Sequence, residues 1–248
     1  RLLLATLLGT GLVAAAGAAL NHLLERDTDA LMGRTANRPL PTGRLQPRSA
    51  LVFGLALALA GLVELWIAVN ALTALLGAVA LLGYLAIYTP LKRVTSLSTL
   101  VGAVPGAIPP MMGWTGASGQ LEAGAWVLFG ILFLWQLPHF LAIGWLCRED
   151  YAQAGFPLLS VKDTDGHRTA RQMMSYGAAL IPVSLLPTVL GLTGTIYLLG
   201  AIALGLVFLG FCVAFSFSYS VRAARQVLLM SVVYLPGVLA FILLDRGF

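Results

Sequence analysis

The chain has 248 residues, of which 59% are hydrophobic and only 10% are charged, whereas roughly 25% of the residues of a soluble domain are charged. This composition excludes an ordinary soluble protein and predicts an integral membrane protein. The formal net charge is +5, but the bases lie in loops between apolar segments rather than in a stripe on a soluble surface, so we expect no nucleic-acid partner.

Eight apolar segments follow one another along the chain, and most are close to the 20 or so residues that cross a bilayer. They predict an all-α, multi-span transmembrane helix bundle that forms a single domain over residues 1–248. The segment containing GAVPGAIPP should be broken or kinked, because proline cannot donate a backbone hydrogen bond. The segments cover about residues 2–24, 49–69, 71–89, 98–115, 123–147, 173–191, 195–219 and 226–244.

The loops alternate in charge. Every Lys and Arg except the terminal Arg1 and Arg246 follows the first, third, fifth or seventh segment, and the positive-inside rule places that side in the cytoplasm or its equivalent. Two loops on this side, about 25–48 and 148–172, are longer than simple connections need, and long ordered loops are often functional. We therefore expect both loops to cover one shared cavity, with the active site toward the cytoplasm or the mitochondrial matrix.

Three polar residues at steps of four end the first segment: Asn21, Glu25 and Asp29. On a helix this spacing places one amide and two carboxylates on the same face. Oxygen ligands of this kind suit Mg²⁺, which also binds substrate phosphates. The alternative is a solvated helix end in which Glu25, Asp27 and Asp29 pair with Arg26 and Arg34, and spacing alone does not choose between the two.

A second group of polar residues follows the fifth apolar segment. His139 lies inside that segment and Asp150 just after its end. A single histidine in such a run is more often a hydrogen-bonded packing residue than a ligand. Asp150 belongs to a second acidic cluster, and we expect it on the same membrane face as the first.

Several motifs resemble a known family. The pattern N-x-x-x-E-x-x-x-D from Asn21 to Asp29, followed by RTANRPL from Arg34, resembles the first motif of the UbiA superfamily of intramembrane prenyltransferases. Three further stretches resemble the branch of that superfamily that farnesylates heme b: YTPLKR at 88–93, GAVPGAIPPMMGW at 102–114, and WQLPHF with REDYAQAG at 135–155.

The resemblance implies transfer of the farnesyl group of farnesyl diphosphate to a vinyl group of heme b, giving heme O. Mg²⁺ would assist departure of the diphosphate, and heme b is a substrate rather than a cofactor. It also implies residue roles: Asn21, Glu25, Asp29 and Asp150 as metal ligands and catalytic residues, Arg34, Arg38, Lys92 and Arg93 as diphosphate ligands, and His139 as a catalytic contact to the heme.

The sequence departs from the family pattern at three points. Position 25 is Glu where the motif usually has Asp. The second motif has one clear acid, Asp150, with Ala154 four residues later, so the paired acids of quinone-type relatives are missing. The family has nine spans and eight are visible here, so the chain, which begins at Arg1, is expected to lack the first.

Two other functions compete with heme farnesylation. A superfamily member that prenylates a quinone precursor is one, although WQLPHF and the unpaired second motif argue against it. A membrane transporter is another, which predicts an internal inverted repeat. The family also implies a bacterial plasma membrane or mitochondrial inner membrane, and downstream partners such as heme A synthase or terminal oxidase assembly proteins.

Overall fold

A computed structural model describes residues 1–245, and this part of the chain contains helices and no β-strand. Arg246, one of the two bases outside the charge pattern, lies beyond the described residues. The α-helices are α1 Leu2–Leu24, α2 Arg26–Asp29, α3 Pro47–Glu64, α4 Ala71–Leu82, α5 Thr89–Leu91, α6 Ser98–Gly106, α7 Ile108–Ser118, α8 Ala123–Leu146, α9 Arg148–Gln153, α10 Leu159–Lys162, α11 His167–Val189, α12 Thr195–Ser218 and α13 Val221–Leu244. Wider π-helical turns, Leu65–Val69 and Gly83–Tyr88, continue α3 and α4.

The predicted all-helical transmembrane architecture is confirmed. Among the described residues, six helical stretches are long and apolar enough to cross a membrane: Leu2–Leu24, Pro47–Val69, Ala71–Leu91, Ala123–Leu146, Thr195–Ser218 and Val221–Leu244. The other two predicted segments are also helical. One is divided into α6 and α7, and the other, α11, begins with His167 and carries Arg168 and Arg171 in its first turns.

The chain divides into two compact units. The first consists of Arg1–Leu121 with Glu149–Leu158, and the second of Glu122–Arg148 with Leu159–Phe248. The short segment Glu149–Leu158 therefore belongs to the first unit, although its neighbours on both sides along the chain belong to the second. That the whole chain acts as one domain stays a prediction.

In the first unit, glycines allow α1 and α3 to pack with their backbones close together. A Cβ atom at Gly61 would lie 2.9 Å from the carbonyl oxygen of Gly9 and from the backbone nitrogen of Val13. Small residues at helix crossings are typical of membrane bundles, where close packing replaces the hydrophobic effect as the cause of association. This crossing fixes α1, the helix that ends in the polar triplet.

Polar contacts join α4 to α7. Asn70 caps α4 through its Oδ1 atom, which accepts from the Thr73 backbone nitrogen at 2.8 Å, and its Nδ2 donates to the Thr115 carbonyl oxygen at 2.8 Å. The Thr73 and Thr115 hydroxyls lie 2.9 Å apart. The side chains of Asn70, Thr73 and Thr115 thus all have hydrogen-bond partners, as polar groups inside a bilayer require.

The predicted break in the proline-rich segment is confirmed. Helix α6 ends at Gly106 and α7 begins at Ile108, with Ala107 between them at φ −93° and ψ −4°. Pro109 lies in the first turn of α7, a position where the missing N–H removes no helical hydrogen bond. The break divides one predicted span into two short helices.

The second unit is a bundle of α8, α11, α12 and α13. Its core contains large aromatic side chains that are fully buried, among them Tyr197, Phe208 and Tyr234. The Tyr234 hydroxyl lies 2.8 Å from Ser184 Oγ, and the Tyr197 hydroxyl donates to the Ser184 carbonyl oxygen at 2.7 Å. These bonds satisfy the tyrosines inside an otherwise apolar core.

Asp163 caps the N-terminus of α11. Its Oδ2 accepts from the Thr169 backbone nitrogen and from the Thr169 hydroxyl, both at 2.7 Å, and its Oδ1 accepts from the Arg168 backbone nitrogen at 3.3 Å. Burial alone would raise the pKa of this carboxyl, but the hydrogen bonds from Thr169 and Arg168 favour the charged form and bring the pKa below its usual value.

We expect Asp163→Ala to lower the free energy of unfolding by about 1 kcal/mol, the usual cost of a lost helix cap. Because the folded-state pKa lies below the unfolded one, the cap stabilises the protein at neutral pH and its contribution is lost as the pH falls below about 4. Thermal unfolding in detergent, followed against pH, checks this. The wild-type and variant curves should converge at acid pH, and a constant gap would contradict the prediction.

Candidate functional site

The polar triplet runs from Asn21, in the last turn of α1, through Glu25 to Asp29, the last residue of the short α2, and keeps its helical spacing. The backbone nitrogen of Glu25 donates to the Asn21 carbonyl oxygen at 2.9 Å, and that of Asp29 donates to the Glu25 carbonyl oxygen at 2.7 Å. The relative exposure of Asn21, Glu25 and Asp29 is 7%, 3% and 1%. A solvated helix end, one of the two interpretations that the spacing allowed, is therefore wrong.

Both buried acids of the triplet form ion pairs. Lys92 follows α5, and its Nζ atom lies 3.2 Å from each carboxylate oxygen of Glu25. Arg38 Nη1, from the loop after α2, donates to Asp29 Oδ2 at 2.8 Å. The partners are thus Lys92 and Arg38 rather than Arg26 and Arg34, the bases that are nearest in sequence to the acids.

The second acidic cluster supplies a third pair in the same unit. Asp150 Oδ1 accepts from the Gly33 backbone nitrogen at 3.1 Å, and its Oδ2 lies 3.9 Å from Arg34 Nε. These contacts hold Glu149–Leu158 against the loop that follows α2. These contacts show that the two long loops meet, for the part of the second loop that belongs to the first unit. That both loops cover one shared cavity stays a prediction.

Backbone and hydroxyl groups fix the orientation of the triplet. Asn21 Nδ2 donates to Thr89 Oγ1 at 3.1 Å, and that hydroxyl donates to the Tyr84 carbonyl oxygen at 2.9 Å. Thr35 Oγ1 donates to the Asp29 carbonyl oxygen at 2.8 Å. The stretches 34–40 and 88–93, which resemble family motifs, are therefore both hydrogen-bonded to the polar triplet.

Three further charged residues near the site, Arg93, Arg44 and Asp27, also have partners. Arg93 Nη2 donates to the Leu24 carbonyl oxygen at 2.8 Å, so this side chain caps the end of α1 beside the triplet. Arg44 bonds within its own loop, to Thr42 and to the Asn37 carbonyl oxygen. Asp27 is exposed and pairs with Arg26, with Nε and Oδ1 3.1 Å apart, as expected for a residue off the Asn21 face.

Sequence reasoning missed two aromatic residues of the site, Tyr151 and Phe156. Arg34 Cζ lies 5.5 Å from the centre of the Tyr151 ring, and Lys92 Nζ lies 4.7 Å from the centre of the Phe156 ring. The distances are in the range of cation–π contacts. Only their position in the sequence could have indicated them, since both follow the second acidic cluster within six residues of Asp150.

An apolar cavity of about 220 Å³ lies along the same helix. Gly17 and Val13 of α1 line it, one and two turns before Asn21 respectively, and Leu81, Tyr84 and Met112 are among its other walls. Steps of four place Val13, Gly17 and Asn21 on one face of α1. The polar site and the apolar cavity are therefore successive parts of one helix face.

His139 belongs to the second unit. Its Nδ1 atom lies 2.7 Å from Ser231 Oγ, and its ring stacks on Trp135 with centroids 5.1 Å apart. Trp135 Nε1 donates to the Ser231 carbonyl oxygen at 2.7 Å, so α8 and α13 fix both rings. A contact between His139 and heme stays a prediction.

The chemistry of the polar site suits a divalent cation. Asn21, Glu25, Asp29 and Asp150 offer only oxygen ligands, the kind that hard cations prefer, and bases neutralise all three acids. Within residues 1–245, no group of three or more His, Cys, Asp or Glu side chains converges closely enough to hold a metal. The role of these four residues as cation ligands stays a prediction.

Comparisons with known proteins show the family of this chain. Residues 1–241 match the UbiA prenyltransferase family. The chain is 54% identical to a protoheme IX farnesyltransferase of Solibacter usitatus, with 98% of this chain and 84% of the relative covered. It is 47% identical to a protein of the same name from Salinibacter ruber, over 98% of this chain and 86% of the relative.

Two solved structures share the fold. The structure of a digeranylgeranylglyceryl phosphate synthase superposes with a TM-score of 0.81 and 17% identity, covering 98% of this chain and 85% of that one. The apo structure of a UbiA homologue from Aeropyrum pernix gives a TM-score of 0.72 and 20% identity, covering 96% of this chain and 88% of that one. At these identities the likeness concerns the fold alone.

Proposed function

Because the chain belongs to the UbiA prenyltransferase family, we propose that it transfers the farnesyl group of farnesyl diphosphate to a vinyl group of heme b, giving heme O. The observation that carries the proposal is the set of three acid–base pairs at the end of α1, next to an apolar cavity. Relatives that are 44–54% identical over nearly the whole chain carry the name protoheme IX farnesyltransferase.

We propose that the ion pairs exchange partners when the substrate binds. Arg34, Arg38 and Lys92 leave their carboxylates for the diphosphate oxygens, and Arg93 joins them from the adjacent loop. Arginine suits this role because its planar fork matches two phosphate oxygens. The acids released in the exchange are Glu25, Asp29 and Asp150, and with Asn21 they would hold a divalent cation, which we propose to be Mg²⁺.

The bound cation supplies further stabilisation of the leaving diphosphate. The chain's own bases stabilise the same developing negative charge as the C1–O bond of the allylic substrate breaks. The farnesyl chain lies in the apolar cavity beside Gly17, where the lining excludes water from the allylic cation. The vinyl group of heme b then attacks C1 of the allylic cation and forms the new C–C bond. Water adds to the carbocation left on the former vinyl group and loses a proton, which completes the hydroxyethylfarnesyl substituent.

His139 has a place in this proposal as a contact to heme b. Its Nδ1 atom is already engaged with Ser231, which orients the ring and leaves Nε2 as the atom that meets a ligand.

The active site would face the cytoplasm or the matrix, the side to which the basic loops point by the positive-inside rule. Heme O would then pass to heme A synthase or to terminal oxidase assembly proteins.

The test is to incubate the membrane-inserted protein with heme b, farnesyl diphosphate and Mg²⁺, and to follow heme O by mass spectrometry. We expect heme O and inorganic diphosphate in equal amounts, and neither product when Mg²⁺ is removed by a chelator. A well-folded preparation that gives no heme O overturns the proposal.

The same assay, with an aromatic acceptor added beside heme b, separates the two rivals. A quinone-type prenyltransferase would leave heme b unchanged and prenylate an aromatic acceptor such as 4-hydroxybenzoate. A transporter would form no product with either acceptor, and farnesyl diphosphate would remain intact.

A further inference from the structure

We propose that Phe156 and Tyr151 form an aromatic platform that positions Lys92 and Arg34 for the diphosphate. This inference rests on the proposed function, because it gives a role to residues that contact the diphosphate ligands rather than the reacting atoms. Phe156 and Tyr151 are therefore positioning residues. The platform lies wholly within the first unit, in the segment Glu149–Leu158.

The first half of the platform holds Lys92. Its Nζ atom lies 4.7 Å from the centre of the Phe156 ring and 5.8 Å from that of the Tyr151 ring. The Lys92 side chain is 12% exposed and Phe156 is 1% exposed, so the ammonium group has little water around it. An aromatic face attracts a desolvated cation more strongly than an exposed one.

The second half holds Arg34. Its Cζ atom lies 5.5 Å from the centre of the Tyr151 ring, and its Nη2 donates to the Tyr151 hydroxyl at 3.4 Å. The Tyr151 and Phe156 rings meet edge to face with centroids 5.9 Å apart. One aromatic pair thus contacts two of the bases that bind the diphosphate.

The platform keeps the two bases in position while the ion pairs exchange partners. When Lys92 leaves Glu25 for the diphosphate, it loses the carboxylate that compensates its charge and fixes its position. The Phe156 face still attracts the ammonium group during this exchange, and the Tyr151 face does the same for Arg34. The bases therefore remain ordered beside the substrate, which reduces the entropy lost on binding.

The test replaces Phe156 by phenylalanines that carry one, two or three ring fluorines, because fluorine withdraws charge from the ring face and changes its size little. We expect the dissociation constant of inorganic diphosphate, measured by calorimetry with Mg²⁺, to rise stepwise to about tenfold. The KM for farnesyl diphosphate should rise in parallel, while the KM for heme b stays unchanged. Phe156→Leu, which removes the ring, should equal or exceed the trifluoro variant.

Phe208 provides the matched control. It is also fully buried, and its ring packs against Tyr234 in the second unit, so the same fluorinated series there should leave diphosphate binding unchanged. Constant diphosphate affinity across the Phe156 series would overturn the platform. So would equal losses at both positions, since these would reflect packing alone. Because diphosphate binding needs no turnover, these results are distinguishable from a failure to make heme O.

Discussion

Asp29→Asn should lower the rate of heme O formation by about a hundredfold or more, in line with the cost of removing one group that stabilises charge in a transition state. The substitution keeps the size of the side chain but removes its charge. Asp29 is 1% exposed and accepts from Arg38 Nη1 at 2.8 Å. The variant therefore weakens a proposed cation ligand and changes the partner of Arg38, a proposed diphosphate ligand.

Asp27→Asn is the control for this experiment. Asp27 lies two residues away, its side chain is 83% exposed, and its partner is the neighbouring Arg26. We expect its rate to stay within twofold of the wild type, since an exposed pair of this kind contributes little. Heme O formation at saturating heme b is the measurement, and a shift of the apparent Mg²⁺ requirement should accompany the loss at Asp29 alone. Equal rates of heme O formation for the two variants would show that Asp29 does not belong to the active site.

Lys92→Met should reduce both stability and activity. Lys92 is the partner of Glu25, which is 3% exposed, so the variant leaves a buried carboxylate without its counter-charge. Breaking a buried pair on one side costs about 3 kcal/mol or more. Diphosphate affinity should fall as well, because the ammonium group is lost from the site. Thermal unfolding in detergent and diphosphate calorimetry measure the two effects separately.

The double variant Glu25→Gln with Lys92→Met distinguishes the two roles. It removes both charges of the pair, so most of the lost stability should return, as it does when buried ion pairs are replaced as a whole. Heme O formation should remain at the level of Lys92→Met or below. Recovered activity in the double variant would mean that Lys92 serves only to compensate Glu25, and its assignment as a diphosphate ligand would be wrong.

Much of the site was visible in the sequence because it depends on local spacing. The four-residue steps from Asn21 to Asp29 fix a common helix face whatever surrounds the helix. The distribution of Lys and Arg predicts that the basic loops lie on one side of the membrane, by the positive-inside rule, and this stays a prediction. The proline-rich break at Ala107 was also predictable, since it follows from the missing N–H groups of nearby prolines.

Partner choice was not predictable, because it depends on which helix ends meet. The sequence suggested Arg26 and Arg34 as partners of the first acids, yet Glu25 pairs with Lys92, which is 67 residues away. Asp29 pairs with Arg38, and Arg34 pairs with Asp150, which lies beyond the six helices α3 to α8. Nearness along the chain is a poor guide when loops fold back over a bundle.

The polar stretch at the end of α1 illustrates the division between the two sources of information. By itself the sequence determined an all-helical membrane protein, one face with Asn21, Glu25 and Asp29, and the resemblance to a prenyltransferase family, because hydropathy, helical periodicity and motif spacing are local properties. Only the tertiary structure decided that these acids are buried, which bases neutralise them, and that Phe156 and Tyr151 contact Lys92 and Arg34. Burial and ion pairing arise from contacts between distant segments, and the packing of the whole first unit sets them.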